Sequence, residues 1–156
     1  MKHAEISPAS VDGRGLRVAM VATRWNASII EALVNGAHRA LRECGVAEDD
    51  IQLVRVSGAL EIPLALAALA QSESHDALVA LGCVIRGDTY HFEIVANECN
   101  AGISRVQLDY TIPVGNGVLT VDNEGQAESR MVDKGADAAR VAIEMAQLMK
   151  QLRRPA

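Results

Sequence analysis

The chain has 156 residues, of which 49% are apolar and 22% charged, and this composition excludes intrinsic disorder and fits a single globular domain. Its net charge of −5 argues against a general nucleic-acid-binding role, and no apolar run reaches the roughly 20 residues that a membrane-spanning helix needs. The three cysteines lack metal-ligand spacing and are typical of small core residues in a reducing compartment, so we expect a cytoplasmic protein.

The chain begins with a polar segment, residues 1–15, that lacks the apolar core of a signal peptide. It predicts a flexible N-terminal arm ahead of a single domain at 16–156. The first strand is predicted at 16–23, and Asn26 or Ser28 then caps a helix that ends at Gly45. The apolar stripe of this helix has helical spacing and consists of Ile29, Ile30, Leu33, Val34, Ala37 and Leu41.

The middle of the chain repeats the strand and helix pattern twice. A second strand is predicted at 51–56, and Pro63 marks the first turn of a second helix. Residues 77–85 are small, branched and uncharged, which is typical of a strand buried on both faces of a parallel sheet. The next helix has an apolar stripe made of Phe92, Val95, Ala96, Cys99, Ile103 and Val106.

The last third of the chain predicts a fourth strand at 113–121, a short helix at 124–130 and a long final helix. The predicted apolar stripe of the final helix consists of Ala138, Val141, Ala142, Met145, Leu148, Met149 and Leu152. Strands that alternate with helices indicate an α/β fold, a three-layer αβα sandwich around a four-stranded parallel sheet. Because so small and apolar a sheet needs cover on every side, we also expect an oligomer.

Unusual residues follow each predicted strand. Arg24-Trp25-Asn26 follows the first strand, residues 57–61 the second, residues 86–91 the third, and Asn116 onward is assigned to the end of the fourth. The carboxyl ends of parallel strands meet at one edge of the sheet, where open α/β sheets bind their ligands. We therefore predict one site formed by these four segments.

Two aromatic side chains in these segments have a structural and a functional interpretation. Trp25 is either a core residue or a platform that stacks on a planar ring. His91 is either a packed or surface histidine or a proton-transfer group. It is predicted in the first turn of a helix, where the positive end of the dipole disfavours the protonated ring.

The charged residues of the segments have similar alternatives. The turn Gly87-Asp88-Thr89 offers backbone N–H groups to an anion, although the Asp88 carboxylate repels a phosphate and is equally explained as a helix cap. Arg130 and Lys134 are either solvated or bind a phosphate. Glu61 either interacts with a helix dipole or accepts hydrogen bonds from substrate hydroxyls.

Residues 58–63, 82–92 and 117–120 resemble, in order and spacing, the signature blocks of the 6,7-dimethyl-8-ribityllumazine synthase family. The resemblance extends from about residue 16 to residue 152. It implies a flavodoxin-like topology and a transferase of riboflavin biosynthesis. The implied reaction condenses 5-amino-6-(D-ribitylamino)uracil with L-3,4-dihydroxy-2-butanone 4-phosphate, releases phosphate and water, and needs no metal or other cofactor.

The resemblance also implies roles for individual residues. Trp25 stacks on the pyrimidine, Glu61 accepts the ribityl hydroxyls, His91 transfers protons and Arg130 binds the phosphate, with Lys134 nearby. The remaining implied binding residues fall in three groups. Ala59 and Leu60 contact the ribityl chain, Cys83, Val84 and Ile85 line the pyrimidine pocket, and Gly87, Asp88 and Thr89 receive the phosphate.

The resemblance implies a homopentamer as the basic unit, with its active site between adjacent subunits and riboflavin synthase as a candidate partner, and no nucleic-acid or membrane partner. Two features depart from the family pattern. Asn116 stands where many relatives carry an aromatic residue, and the segment 130–135 is shorter than the usual loop. An alternative is therefore a paralogue that binds a flavin or lumazine with weak or no turnover. A receiver-like signalling domain would need acidic residues where Arg24-Trp25 stands.

Overall fold

The computed structural model describes residues 4–6 and 11–155. Within them the chain forms strands β1 (Val18–Thr23), β2 (Ile51–Val56), β3 (Ala77–Ile85) and β4 (Val114–Val121). The α-helices of the same part of the chain are α1 (Ala27–Glu43), α2 (Ile62–Gln71), α3 (His91–Tyr110), α4 (Glu124–Glu128) and α5 (Met131–Leu152). The strand and helix order predicted from the sequence is confirmed, with shifts of a few residues at the ends.

The strands form a parallel sheet in the order β2-β1-β3-β4. The two central strands are buried on both faces: every residue of β1 is buried, and so are the first eight of β3. In register, Val18 of β1 lies beside Ile51 of β2 and Ala77 of β3, while Leu78 of β3 lies beside Val114 of β4. The continuous apolar runs of the sequence therefore correspond to the centre of the sheet.

Helices cover both faces of the sheet, so that the three-layer prediction is confirmed. One apolar cluster joins α1 and α5 to the face that contains Met20 and Val79, and a second joins α2 and α3 to the face that contains Val21 and Ala80. The predicted stripe of α1 is buried throughout. Gly45, with φ of 101°, ends this helix in a Schellman turn in which Val46 N–H donates to the Leu41 carbonyl.

The predicted apolar stripe of α5 is partly wrong. Val141 and Leu152 are 49% and 55% exposed, whereas the buried positions are Gly135, Ala138, Ala139, Ala142, Ile143 and Ala146. A Cβ atom on Gly135 would lie 2.1 Å from the Leu33 carbonyl oxygen, which shows how closely α5 approaches α1. Such close packing explains why most buried positions of α5 carry glycine or alanine, with Ile143 as the large buried side chain.

The N-terminal segment falls partly outside the described residues, which omit positions 1–3 and 7–10 of the predicted arm. Its last residues contact the domain: Gly13 N–H donates to the Cys44 carbonyl, and the Gln147 side-chain amide donates to the Asp12 carbonyl. The flexibility of the arm stays a prediction. None of the helices within 4–6 and 11–155 is long and apolar enough to cross a membrane.

Candidate active site

A cavity of about 310 Å³ opens at the carboxyl ends of β1, β2 and β3. Its first wall is the turn after β1, where Thr23 is buried and Trp25 is 70% exposed. Asn26 occupies the N-cap position of α1, as the sequence predicts, but its side chain makes no capping hydrogen bond. It adopts the left-handed conformation instead, with φ of 58°, a geometry that asparagine tolerates better than most residues. This sharp turn keeps Trp25 out of the core.

The second wall follows β2. Gly58 has extended backbone, and a single 3₁₀ turn, Ala59–Glu61, then leads into α2. A Cβ atom on Gly58 would lie 3.2 Å from Glu61 Oε2 and 3.6 Å from Trp25 Cδ1. The absence of a side chain at Gly58 therefore leaves room where the carboxylate of Glu61 and the ring of Trp25 approach the same point.

The third wall is the end of β3, where Cys83, Val84 and Ile85 line the cavity. These residues lie beside Leu119, Thr120 and Val121 of β4, so the sheet fixes their backbone groups. Burial raises the pKa of the Cys83 thiol to about 11, and Glu124 adds to this effect. The thiol is therefore neutral near pH 7. Because only the thiolate form of cysteine is nucleophilic, we interpret Cys83 as part of the cavity wall and not as a nucleophile.

The start of α3 completes the cavity with His91 and, one turn later, Val95. His91 is the first residue of α3 and is exposed, and its backbone N–H lies 3.4 Å from Thr89 Oγ1. Gly87, Asp88 and Thr89 form the exposed turn that joins the β3 wall to His91. The imidazole therefore lies at the rim, next to a helix N-terminus.

Eight of the predicted site residues line the cavity, and six do not; of the six, Gly87, Asp88 and Thr89 form the adjacent turn. Trp25, Ala59, Leu60, Glu61, Cys83, Val84, Ile85 and His91 line the cavity. Arg130, Lys134 and Asn116 lie outside it. Arg130 Nη1 donates to the Gln126 carbonyl at 2.8 Å and to Ser129 Oγ at 3.1 Å, and Lys134 lies in the first turn of α5.

The predicted place of Asn116 at the carboxyl end of β4 is wrong. It is the third residue of β4 and lies beside Ala80, near the opposite end of the strand pair. Its side chain donates to Asn100 Oδ1 of α3 at 2.7 Å and accepts from Val118 N–H at 3.0 Å. The strand continues through the flanking glycines Gly115 and Gly117, both of which lie close to Ala138 of α5.

Three cavity residues were not among the predicted site residues: Thr23, Gly58 and Val95. Gly58 could have been found from its position at the start of a strand-end segment that already contained Glu61, because glycine allows close approach. Val95 follows His91 by one helical turn and lies on the same helix face. Thr23 is the last residue of β1 and carries no distinctive signal of its own.

Comparison with known proteins gives a consistent result. Residues 15–150 match the sequence model of 6,7-dimethyl-8-ribityllumazine synthase. Proteins of that name are similar over most of their length. The one from Leptothrix cholodnii is 53% identical, covering 97% of this chain and 99% of the relative, and the one from Paracidovorax citrulli is 54% identical, covering 91% and 92%.

A third relative of the same name, from Paraburkholderia phytofirmans, is 55% identical over 89% of this chain and 83% of its own. The matched region includes every strand of the described sheet and all three walls of the cavity. With similarity this high over this length, the chain belongs to the 6,7-dimethyl-8-ribityllumazine synthase family.

Proposed function

We infer that the protein condenses 5-amino-6-(D-ribitylamino)uracil with L-3,4-dihydroxy-2-butanone 4-phosphate to form 6,7-dimethyl-8-ribityllumazine, phosphate and water. One observation carries this inference beyond family membership: the cavity unites an exposed indole, a carboxylate and an imidazole at the ends of three strands. These are the groups that a planar polar ring, a polyhydroxyl chain and a proton-transfer reaction require.

The pyrimidine substrate is assigned to the walls formed by β1, β2 and β3. Trp25 presents its ring to solvent in the described chain, so a stacked pyrimidine would remove apolar surface from water. Glu61 would accept hydrogen bonds from ribityl hydroxyls beside Ala59 and Leu60. Cys83, Val84 and Ile85 would contact the ring, partly through backbone groups.

The butanone phosphate is assigned to the turn Gly87-Asp88-Thr89. This turn precedes α3, whose N-cap residue Tyr90 makes no side-chain capping hydrogen bond in the described chain. Backbone N–H groups at a helix N-terminus attract an anion. The Asp88 carboxylate opposes this attraction, so further positive charge is needed, and we assign it to Arg130 with Lys134 nearby.

The chemistry needs proton transfers more than a covalent catalyst. The substrate amine attacks the ketone to give an imine with loss of one water, phosphate is eliminated, and ring closure on the remaining carbonyl releases a second water. His91 lies at the rim between the two assigned substrate positions, where an imidazole can accept and return protons. Holding both substrates in one cavity supplies much of the remaining acceleration.

The predicted site residues that lie outside the cavity are assigned to the site of a neighbouring copy of the chain. Arg130, Lys134 and Asn116 do not reach the cavity of their own copy, and Leu64 of α2 and Leu108 of α3 are 78% and 77% exposed. Large exposed apolar side chains on one layer support self-association. We propose a homopentamer in which adjacent copies share each site, with riboflavin synthase as a candidate partner.

We propose a cytoplasmic location because the cysteines are unpaired. Cys44, Cys83 and Cys99 are all free thiols, and Cys83 and Cys99 are buried. Unpaired buried cysteines are typical of proteins from reducing compartments. Fractionation of cells that express the full chain would test the location directly.

The function is tested by following lumazine absorbance and phosphate release in the same reaction. We expect one phosphate for each lumazine, at a rate above that of the substrates alone. Tight binding of the pyrimidine substrate with no phosphate above the uncatalysed rate would instead support the binding paralogue. Asn116, in the place of an aromatic residue, is the observation that keeps this alternative open.

A further inference from the structure

Arg86 connects three elements around the turn that leads to His91. It follows β3 directly, and its backbone N–H donates to the Val121 carbonyl at the end of β4. Its guanidinium donates through Nη1 to Glu93 Oε1 in the first turn of α3, and through Nε to Asp122 Oδ1 at 3.0 Å. One side chain thus ties the ends of both strands to the start of α3.

The guanidinium also has an apolar contact. Its central carbon lies 4.3 Å from the centroid of the Phe92 ring, which places the cation over the ring face. A planar fork that pairs with two carboxylates and stacks on a ring is a combination that lysine cannot reproduce. The position therefore uses the shape of arginine as well as its charge.

The charges around Arg86 argue against a direct role in binding phosphate. Two carboxylates, Glu93 and Asp122, pair with its single positive charge. The hydrogen bond from Arg86 holds the pKa of Glu93 below its ordinary value, so this carboxylate is ionised near neutral pH. Because one guanidinium is paired with two carboxylates, this cluster has no net positive charge with which to attract an anionic substrate.

The turn itself has little other support. A Cβ atom on Gly87 would meet no heavy atom within 4 Å among the described residues, and residues 86–91 are all exposed. The contact between His91 N–H and Thr89 Oγ1 is long, at 3.4 Å. The bridge from Arg86 to Glu93 closes the loop across this segment, because the two residues stand on either side of it.

We propose that Arg86 is a positioning residue, which fixes the turn Gly87-Asp88-Thr89 and His91 relative to the cavity without touching substrate. The proposal rests on the function proposed above, in which this turn receives the phosphate and His91 transfers protons. Losing the clamp lets both groups move while the pyrimidine walls, which are the turns after β1 and β2 and the β3 residues paired with β4, stay in place.

The first test compares Arg86→Ala and Arg86→Lys with the unmodified protein. For Arg86→Ala we expect KM for the butanone phosphate to rise about tenfold and kcat to fall about tenfold, because small displacements of reacting groups are costly. Affinity for the pyrimidine substrate should change less than about twofold. For Arg86→Lys we expect KM and kcat between those of Arg86→Ala and the unmodified protein, since lysine keeps the charge and loses the planar fork of the guanidinium.

The second test separates positioning from direct phosphate binding. Glu93→Gln removes a negative charge near the turn, so it should improve phosphate binding if Arg86 contacts phosphate directly. If Arg86 acts by positioning, Glu93→Gln leaves only an uncharged acceptor for the guanidinium, weakens the clamp and should raise KM for the butanone phosphate in the same direction as Arg86→Ala, by a smaller factor. The inhibition constant of inorganic phosphate against the butanone phosphate provides the same comparison with a ligand that does not itself react.

Arg105→Ala is the matched control, because Arg105 pairs with Asp109 on the exposed side of the same helix. It should leave both substrates and kcat unchanged. Arg86→Ala with normal kinetics in an active preparation would overturn the positioning role, and so would an equal loss of affinity for both substrates. An unmodified protein that releases no phosphate would instead overturn the function itself. Should Arg86→Ala fail to fold, Arg86→Lys and Glu93→Gln decide the question.

Discussion

Gly58 sets the distance between the two groups that we assign to the pyrimidine substrate. Its backbone is extended, with φ of −149° and ψ of −179°, a conformation that alanine adopts without strain. A methyl group there would approach the Glu61 carboxylate and the Trp25 ring directly. An alanine at position 58 therefore adds a methyl group to the cavity without straining the backbone, so any change in binding reports the methyl group.

We predict that Gly58→Ala raises KM for the pyrimidine substrate about five- to tenfold, because the Glu61 carboxylate must move by a few tenths of an ångström and the methyl group fills the space beside the Trp25 ring. The KM for the butanone phosphate and the melting temperature should change little. Steady-state kinetics with each substrate varied in turn provide the measurement. Gly87→Ala is the control, since open space surrounds that position, and it should leave pyrimidine KM unchanged. Unaltered pyrimidine KM in Gly58→Ala would remove Trp25 and Glu61 from the pyrimidine site.

At the scale of elements, the close contact between α1 and α5 depends on Gly135. Its Cα faces the backbone of Leu33, and a Cβ atom would lie 2.1 Å from the carbonyl oxygen and 2.9 Å from the carbonyl carbon. Because these atoms belong to a helix backbone, they cannot rotate away as a side chain would. The two helices must separate to admit even one methyl group.

We predict that Gly135→Ala destabilises the fold by about 1–3 kcal/mol, although alanine is the better helix former by about 1 kcal/mol. Asp137→Ala, on the exposed side of the same helix, should change stability by less than about 0.5 kcal/mol. Urea unfolding followed by circular dichroism measures both variants. A stability equal to or above that of the unmodified protein would show that α5 packs less closely against α1.

The sequence predicts strands better than it predicts the buried face of the last helix. In β1 and β3 the continuous apolar runs leave one interpretation, since both faces are buried. In α5 the predicted stripe is buried at Ala138 and Ala142 but exposed at Val141 and Leu152. The distance between α1 and α5 decides which face packs, and no local pattern encodes that distance.

The same limit applies to the candidate site. Residues that follow β1, β2 and β3 meet because parallel strands end at one edge, and this part of the prediction is confirmed. Asn116 and Arg130 could not be placed by that rule. Asn116 lies in the first half of β4. Arg130 immediately precedes α5, and its guanidinium donates to the Gln126 carbonyl in the preceding turn. Their role in the site depends on an assembly that the order of elements does not specify.

At the scale of the whole molecule, the proposed shared site makes a prediction about mixed oligomers. His91 and Glu61 line one cavity of one chain, whereas Arg130 lies outside it. If a neighbouring copy supplies Arg130, a His91→Ala copy and an Arg130→Ala copy, each of reduced activity, can complete each other. In a closed ring of randomly mixed copies, roughly one quarter of the interfaces would combine an intact His91 with an intact Arg130.

We therefore predict that co-expressed His91→Ala and Arg130→Ala chains regain up to about a quarter of the unmodified activity above the mean of the two variants alone. The matched pair is His91→Ala with Glu61→Ala. Both lesions fall in the same cavity of one chain, so mixing leaves every site with at least one of them and restores nothing beyond the mean. Lumazine formation in the two mixtures, compared at equal protein concentration and equal oligomer mass, is the measurement. Restoration in both mixtures would point to exchange of larger segments between copies. Restoration in neither would place Arg130 in the site of its own chain, because a single-copy site gains nothing from a neighbour.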